Sequence, residues 1–333
     1  MLLDTTYNYV IFGAEGYYNV GYADLQSCPN VLYLNHYMQT VRNPLMRILM
    51  RLTFSQKINR IIRYPFSRFT FRHLLNLPFT DDKPLCFLYF GNVYWCTAFL
   101  AKPPYFDYLK QRYPNAKFGM YLQDIVARNP HLDMQRIKEQ FDFVLSYDKG
   151  DCAKYDLIYH PTPYSAYAVP QDDRIAESDV YFCGNGKQRY PLIHALYEQC
   201  TAKGLRCDFY ISSVPAEEQI HEGIHYNQPL SYIENLQHVL KTKCIVEIMQ
   251  SDADGFTPRV WESMFYNKHL LTTNAAIPSS PYYRPGFMHL ADQDIDNIKQ
   301  WINTPVAPID DALQEALSPK QLIRHIESLL SNE

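Results

Sequence analysis

Short apolar runs of strand length recur along the whole chain, and helix-patterned stretches separate them. In the first half the runs are Tyr9–Phe12, Val31–Leu34, Leu85–Phe90, Lys117–Leu122 and Phe141–Ser146. In the second half they are Asp179–Cys183, Cys207–Ile211, Cys244–Met249, His269–Thr273 and Phe287–Leu290. Strands that alternate with helices require right-handed crossovers, and these build parallel sheets covered on both faces. The pattern is interrupted at His160–Asp179, which holds three prolines and no apolar period, and which reads as a linker. Two doubly wound α/β domains are therefore expected, over residues 1–165 and 166–317. The 333 residues are 47% hydrophobic, enough for two cores. A last helix is expected over Ser318–Leu330, with Ser318 as cap, Pro319 at the first helical position, and Ile323, Ile326, Leu329 and Leu330 on one face.

The formal net charge of -4 gives no global pull toward nucleic acid. None of the eight cysteines lies in a C-x-x-C pair; they read as buried, reduced thiols, and no clustered ligands suggest a metal. The start, MLLDTTYNYV, carries Asp4 and no basic flank before an apolar core, unlike a signal peptide. No apolar run is long enough to span a bilayer. A cytoplasmic protein is the expectation.

Charge is distributed unevenly, however. From Leu25 to Thr80 there is no Asp or Glu, while Arg42, Arg47, Arg51, Lys57, Arg60, Arg63, Arg68 and Arg72 fall within that span among leucines, isoleucines, methionines and phenylalanines. Residues 41–72 could lie on an anionic membrane, bind an anionic acceptor, or pack their apolar side inward and solvate their arginines.

The segment most informative about chemistry is CIVEIMQSDADGFTPRVWESMFYNKHLLTTN, residues 244–274. A buried strand runs into a polar loop, and a helix begins at Thr257, a good cap, with Pro258 as its first residue. The helix ends near Asn267, which tolerates the left-handed conformation. This order puts Gly255, Phe256 and Thr257 at a helix N-terminus beside the C-terminal edge of a parallel sheet, where N–H groups favour phosphate. Arg259 in the first turn opposes the helix dipole, a cost that a phosphate would offset. Glu262 could accept hydrogen bonds from ribose hydroxyls. An ordinary turn with solvated polar residues is the alternative, and Asp252 with Asp254 also forms a D-x-D triplet of the kind that holds Mg²⁺ or Mn²⁺. Upstream, DVYFCGNGKQRYPLI places Gly184, Gly186, Lys187 and Arg189 in a loop after a strand, where glycines permit close approach and the cations could neutralise a diphosphate.

These segments, within residues 179–290, resemble the donor-site signature of GT-B glycosyltransferases, in particular the bacterial capsule, lipopolysaccharide and exopolysaccharide biosynthesis type. The resemblance implies a GT-B fold, two Rossmann-like domains facing across a cleft, with residues 318–333 packing back on the first. It implies a nucleotide diphosphate sugar as donor and a glycan or lipid-linked glycan as acceptor, with no cofactor and no nucleic-acid partner. Asp254 and Glu262 match its acid-x7-Glu spacing. Glu262 would bind the donor ribose, and Asp254 with the Gly255–Thr257 backbone would approach the sugar and diphosphate. Lys187, Arg189 and Arg259 would take the place of a metal ion. Two departures concern the sugar contacts: Asp254 is one methylene shorter than Glu, and Phe265, Tyr266 and Asn267 replace a small-residue helix end.

In such an enzyme the acceptor would bind the first domain, where Asp124 is the first candidate base and Glu15, in the FGAEGYYN loop with Gly13 and Gly16, the second. Asp148 and Asp151 come third. For each, a helix cap or a solvated loop carboxylate is the competing reading. An epimerase of the same fold and a non-catalytic nucleotide-sugar-binding partner are the alternative functions.

Overall fold

The structure is a computed structural model that describes residues 3–35, 39–55, 67–91, 105–128, 132–249, 255–291 and 296–331. The chain divides into two compact units, Met1–Ala166 with Glu315–Glu333, and Tyr167–Gln314.

The first unit is built on six parallel strands, β1 (Asn8–Phe12), β2 (Val31–Leu34), β3 (Leu85–Gly91), β4 (Lys117–Leu122), β5 (Phe143–Ser146) and β6 (Ile158–Tyr159), in the order β2-β1-β3-β4-β5-β6. Side chains alternate across the pleat, so each strand feeds two cores. Val10, Phe12, Phe87, Tyr89, Phe118 and Met120 point to one face; Tyr9, Ile11, Cys86, Leu88, Phe90 and Tyr121 point to the other. Helices Pro44–Phe54 and Ser67–Arg72 contribute Met50 and Phe71 to the first core. The final helix, Lys320–Ser331, closes the second with Leu322, Ile323, Ile326 and Leu330, and its Glu327 accepts the Tyr9 hydroxyl at 2.8 Å. Ser318 accepts from the Lys320 N–H at 3.3 Å and donates to Asp24 at 2.6 Å.

The second unit holds β7 (Ser178–Asn185), β8 (Cys207–Ser212), β9 (Ile224–Tyr226), β10 (Thr242–Glu247), β11 (His269–Thr272) and β12 (Met288–Leu290), ordered β12-β11-β10-β7-β8-β9 and parallel throughout. The chain moves outward from β7 through β9, then returns to the far side of β7 to lay down β10. The C-terminal ends of β7 and β10 therefore flank a topological switch point, where open α/β sheets bind ligands.

The sequence does not announce β6 and β9, because two or three residues show no apolar run. Phe141 and Asp142 lie before β5 rather than in it: Phe141 caps the helix Met134–Gln140, and Asp142 accepts the Phe118 N–H at 2.6 Å. Among the described residues no helix is long and apolar enough to cross a membrane.

His160, buried, meets the final helix through His325, their Nδ1 atoms 3.1 Å apart. Burial and then the neighbouring His325 lower His160 from its ordinary 6.5 to about 3, and burial lowers His325 as well. Above pH 6.5 the pair is neutral in folded and unfolded chain, and its stabilisation is complete. Below that value the unfolded chain takes up protons that the folded pair resists, so stability falls as pH drops toward about 3. Thermal melts followed by circular dichroism should show this loss, and His160→Asn should flatten the dependence in that window.

Candidate functional site

β10 ends on a charge. Glu247 is 1% exposed, and a carboxylate so placed must be hydrogen-bonded. One oxygen accepts the Thr272 hydroxyl at 2.5 Å; the other accepts the Thr257 hydroxyl. Burial pushes its carboxyl above the ordinary range, against those bonds and the positive charge of Arg259. Thr257 also caps the helix Pro258–Phe265, accepting the Arg259 N–H at 3.3 Å. The TTN ending of the next strand completes the frame: Thr273 accepts the Met249 N–H at 2.8 Å, and Asn274 donates to the Gly255 carbonyl at 3.2 Å. Each residue of Thr272–Asn274 thus holds a different part of the strand–loop–helix unit.

Arg259 leaves that helix toward β7. Its guanidinium donates to the Cys183 carbonyl and lies 5.8 Å from the centre of the Phe182 ring. A Cβ on Gly184 would sit 3.0 Å from it, so glycine makes room for this arginine. Gly186 answers a different need: a Cβ there would meet methyl groups of Ile211 and Val214 at 3.0 Å. Arg189 spans the switch point, donating to the carbonyl of Asn185 on one side and of Ile248 on the other. Lys187 is exposed and has the left-handed φ of 40°. The two sequence motifs are therefore neighbours in space.

Three expectations change. The start of the helix Pro258–Phe265 is not an open phosphate site, because the Thr257 hydroxyl and main chain are turned to Glu247. The Arg259 cation is offset by two buried carboxylates of this chain, Glu247 and Glu262, both of which feel its charge. Glu262 is 3% exposed rather than open to a pocket: one oxygen accepts from Tyr232 at 2.8 Å and from Asn235 at 3.4 Å, and burial raises its carboxyl above the usual range. Phe256 packs edge-on against Trp261 and Tyr282. Asp252 and Asp254 lie outside the described residues.

In the first unit, Asp124 follows β4, and its Oδ1 accepts the Ile125 N–H at 2.9 Å. Its charge, after burial, helps push Tyr18 up to about 12, which brings Asp124 beside the segment that follows β1. Glu15 is exposed in that segment. Gly13 does not leave space for a ligand; the Tyr33 ring occupies the position of its missing Cβ. Gly16 has a φ of 76°, which a glycine adopts without strain. Asp148 caps the helix Lys149–Tyr155, and the buried Asp151 accepts the Val126 N–H at 2.8 Å; both serve the fold.

No family profile and no curated protein sequence matches the chain. Solved structures do. A protein from Listeria monocytogenes assigned as a UDP-N-acetylglucosamine 2-epimerase is 12% identical, with 98% of this chain and 96% of that one aligned at a TM-score of 0.50. An alpha-glucosyltransferase crystallised with UDP-glucose and abasic DNA is 10% identical over 96% of this chain and 90% of its own, at 0.47. A UDP-forming alpha,alpha-trehalose-phosphate synthase from Burkholderia vietnamiensis is 11% identical over 90% and 83%, at 0.46. The fold is of the GT-B type, with two Rossmann-like units.

Removing Glu247 should dismantle the frame of the site. Glu247→Ala leaves the buried Thr272 hydroxyl and the half-buried Thr257 hydroxyl without their acceptor and is expected to cost about 3 kcal/mol in chemical denaturation. In a cycle with Thr272→Val the two changes should be coupled by about 1 kcal/mol or more. Additivity would mean that the two residues act separately.

Proposed function

We propose that the chain is a glycosyltransferase that moves a sugar from a nucleotide diphosphate donor to a surface glycan of the capsule, lipopolysaccharide or exopolysaccharide kind. It would work at the cytoplasmic face and without a cofactor or metal ion. One observation carries this reading: Arg189 and Arg259, far apart in sequence, converge on the carbonyl-lined end of β7 at the switch point of the second unit. In the described chain both guanidiniums are held by neutral main-chain carbonyls. A diphosphate offers charged acceptors, whose hydrogen bonds with guanidinium are stronger, so it could take over these donors, with Lys187 adding a further cation. Charge grows on the leaving diphosphate during transfer, and fixed cations stabilise it. Glu262 is buried and already accepts from Tyr232 and Asn235, so as the proposed ribose acceptor it requires a bound donor to displace those groups; Gly184, Gly186, Gly255, Phe256 and Thr257 are proposed to shape the loops around the donor, with Asp254 assigned to the sugar. Asp124, and after it Glu15, is the proposed base on the acceptor side.

A panel of nucleoside diphosphate sugars tests this by thermal shift. A donor at a hundred times its Kd adds about 2.7 kcal/mol of stability, and Arg259→Ala should abolish the gain. No shift with any donor would end the proposal. In turnover, Lys187→Ala should lower kcat more than it raises KM, and EDTA should leave the wild-type rate unchanged. Restoration of a chelated enzyme by Mn²⁺ would instead bring back the reading of Asp252 and Asp254 as metal ligands.

Asp124→Asn should remove most turnover while the donor-induced thermal shift persists. Near wild-type turnover would exclude Asp124 as the base and pass the test to Glu15→Gln. The second reading is an epimerase, motivated by the fold shared with the Listeria monocytogenes protein; epimerised nucleotide sugar released without any acceptor would favour it. Tight donor binding without turnover under any condition would favour a binding partner.

A further inference from the structure

Two helices of the first unit expose apolar side chains among arginines. In Pro44–Phe54, Leu45 is 60% and Ile48 56% exposed, and on Ser67–Arg72 Phe69 is 50% exposed. Single exposed apolar residues are ordinary; the arrangement here is not single. Leu45, Ile48 and the half-buried Leu52 follow the three- and four-residue spacing of one helix stripe, while Met50 and Thr53 on the opposite side are fully buried. Exposed Arg47 and Arg51 border the stripe one turn apart. The Nε of Arg47 donates to the Val41 carbonyl at 2.8 Å, which fixes its guanidinium near the start of the helix, where exposed Arg42 also lies.

The second helix is tied to the first. Thr53 and Thr70 share a buried hydrogen bond of 2.9 Å between their hydroxyls. Met50 of one helix and Phe71 of the other enter the same core on the same face of the sheet. Their outward sides therefore leave that sheet on one side, and Phe69 and Arg72 extend the surface begun by Leu45, Ile48, Arg47 and Arg51. Arg72 also borders a cavity of about 600 Å³ whose rim includes Arg112 of the helix Tyr105–Arg112, so positive charge continues onto a third helix. The sequence from Leu25 to Thr80 contains no acidic residue to oppose it.

We propose that this surface docks on an anionic lipid bilayer. A soluble polyanion would be served by the arginines alone and would gain nothing from exposed Leu45, Ile48 and Phe69. A bilayer interface uses both: apolar tips enter below the headgroups, and long basic side chains reach the phosphates. The inference is independent of the sugar-transfer reading, because its readout needs neither donor nor acceptor.

Flotation of the full chain with vesicles decides it. The protein should float with phosphatidylcholine vesicles containing phosphatidylglycerol at low salt, detach at high salt, and stay behind with pure phosphatidylcholine. Arg47→Glu with Arg51→Glu, and separately Leu45→Ser with Ile48→Ser, should each weaken partitioning by about tenfold or more. All four side chains are exposed, and Leu45 and Ile48 make no side-chain hydrogen bond, so the serine pair should melt like the wild type and separate loss of docking from loss of fold, while the glutamate pair, which gives up the Arg47 bond to the Val41 carbonyl, is read beside it. The proposal falls if the wild type ignores anionic vesicles at low salt, or binds neutral vesicles equally. It also falls if the serine variant floats like the wild type while dextran sulfate binds as tightly as the vesicles; the surface would then take a soluble polyanion.

Discussion

A single buried carboxylate organises the strand–loop–helix unit at the switch point of the second sheet. Glu247 closes β10 where the sheet would otherwise give way to loop. Its two oxygens are shared between the strand that follows, through Thr272, and the helix between them, through Thr257. Burying a carboxylate is costly unless hydrogen bonds and opposite charge compensate. Here two hydroxyls and the field of Arg259 supply that compensation, yet desolvation still wins and the carboxyl is pushed upward. The consequence is geometric. A helix start tied to both flanking strands cannot drift, and Arg259, two residues past the cap, is aimed across the switch point at Cys183.

Much of this frame is legible in the sequence, and the gaps have physical causes. The cap at Thr257, the proline after it, and the left-handed Asn267, whose φ is 54°, follow from local conformational preferences that tertiary packing does not overrule. Parallel strands buried on both faces announce themselves as apolar runs, which is why β1 to β5 and most of the second sheet can be located. Glu247 escapes because it sits inside such a run, CIVEIM, and reads as an accident of composition. The available signal is that an acid within a buried strand needs donors, and Thr257 and Thr272 stand nearby in sequence. Partners of long side chains are harder still. Nothing in GNGKQR says that Arg189 will grip Asn185 and Ile248 while Lys187 faces solvent, since that depends on how β7 and β10 lie side by side.

The carboxylates illustrate the same limit. Asp148 and Asp151 follow β5 closely, where a base could sit, but one caps a helix and the other, in that helix's first turn, holds the turn at Val126. Sequence position alone does not separate these duties, because a carboxylate at a strand end can satisfy orphan N–H groups as readily as it can abstract a proton. Glu262 shows the reverse. The acid spacing marks it, and the structure surrounds it with Tyr232 and Asn235, partners from a helix some thirty residues upstream that no local pattern connects to it.

The three cations near the end of β7 are not equivalent, and the difference bears on how the site could work. Arg189 and Arg259 already satisfy carbonyl oxygens, so a ligand that recruits them must leave those oxygens to other donors. Charged phosphate oxygens accept more strongly than amide oxygens, which makes the exchange favourable for a diphosphate and unfavourable for a neutral sugar alone. Arg259 is further restrained, because leaving the neighbourhood of Glu247 and Glu262 would deprive two buried carboxylates of the charge that steadies them. Lys187 has no such obligation; it is exposed on a strained, left-handed residue. On the proposed reading, charge recognition would be divided between two guanidiniums already held by main-chain carbonyls and one exposed ammonium.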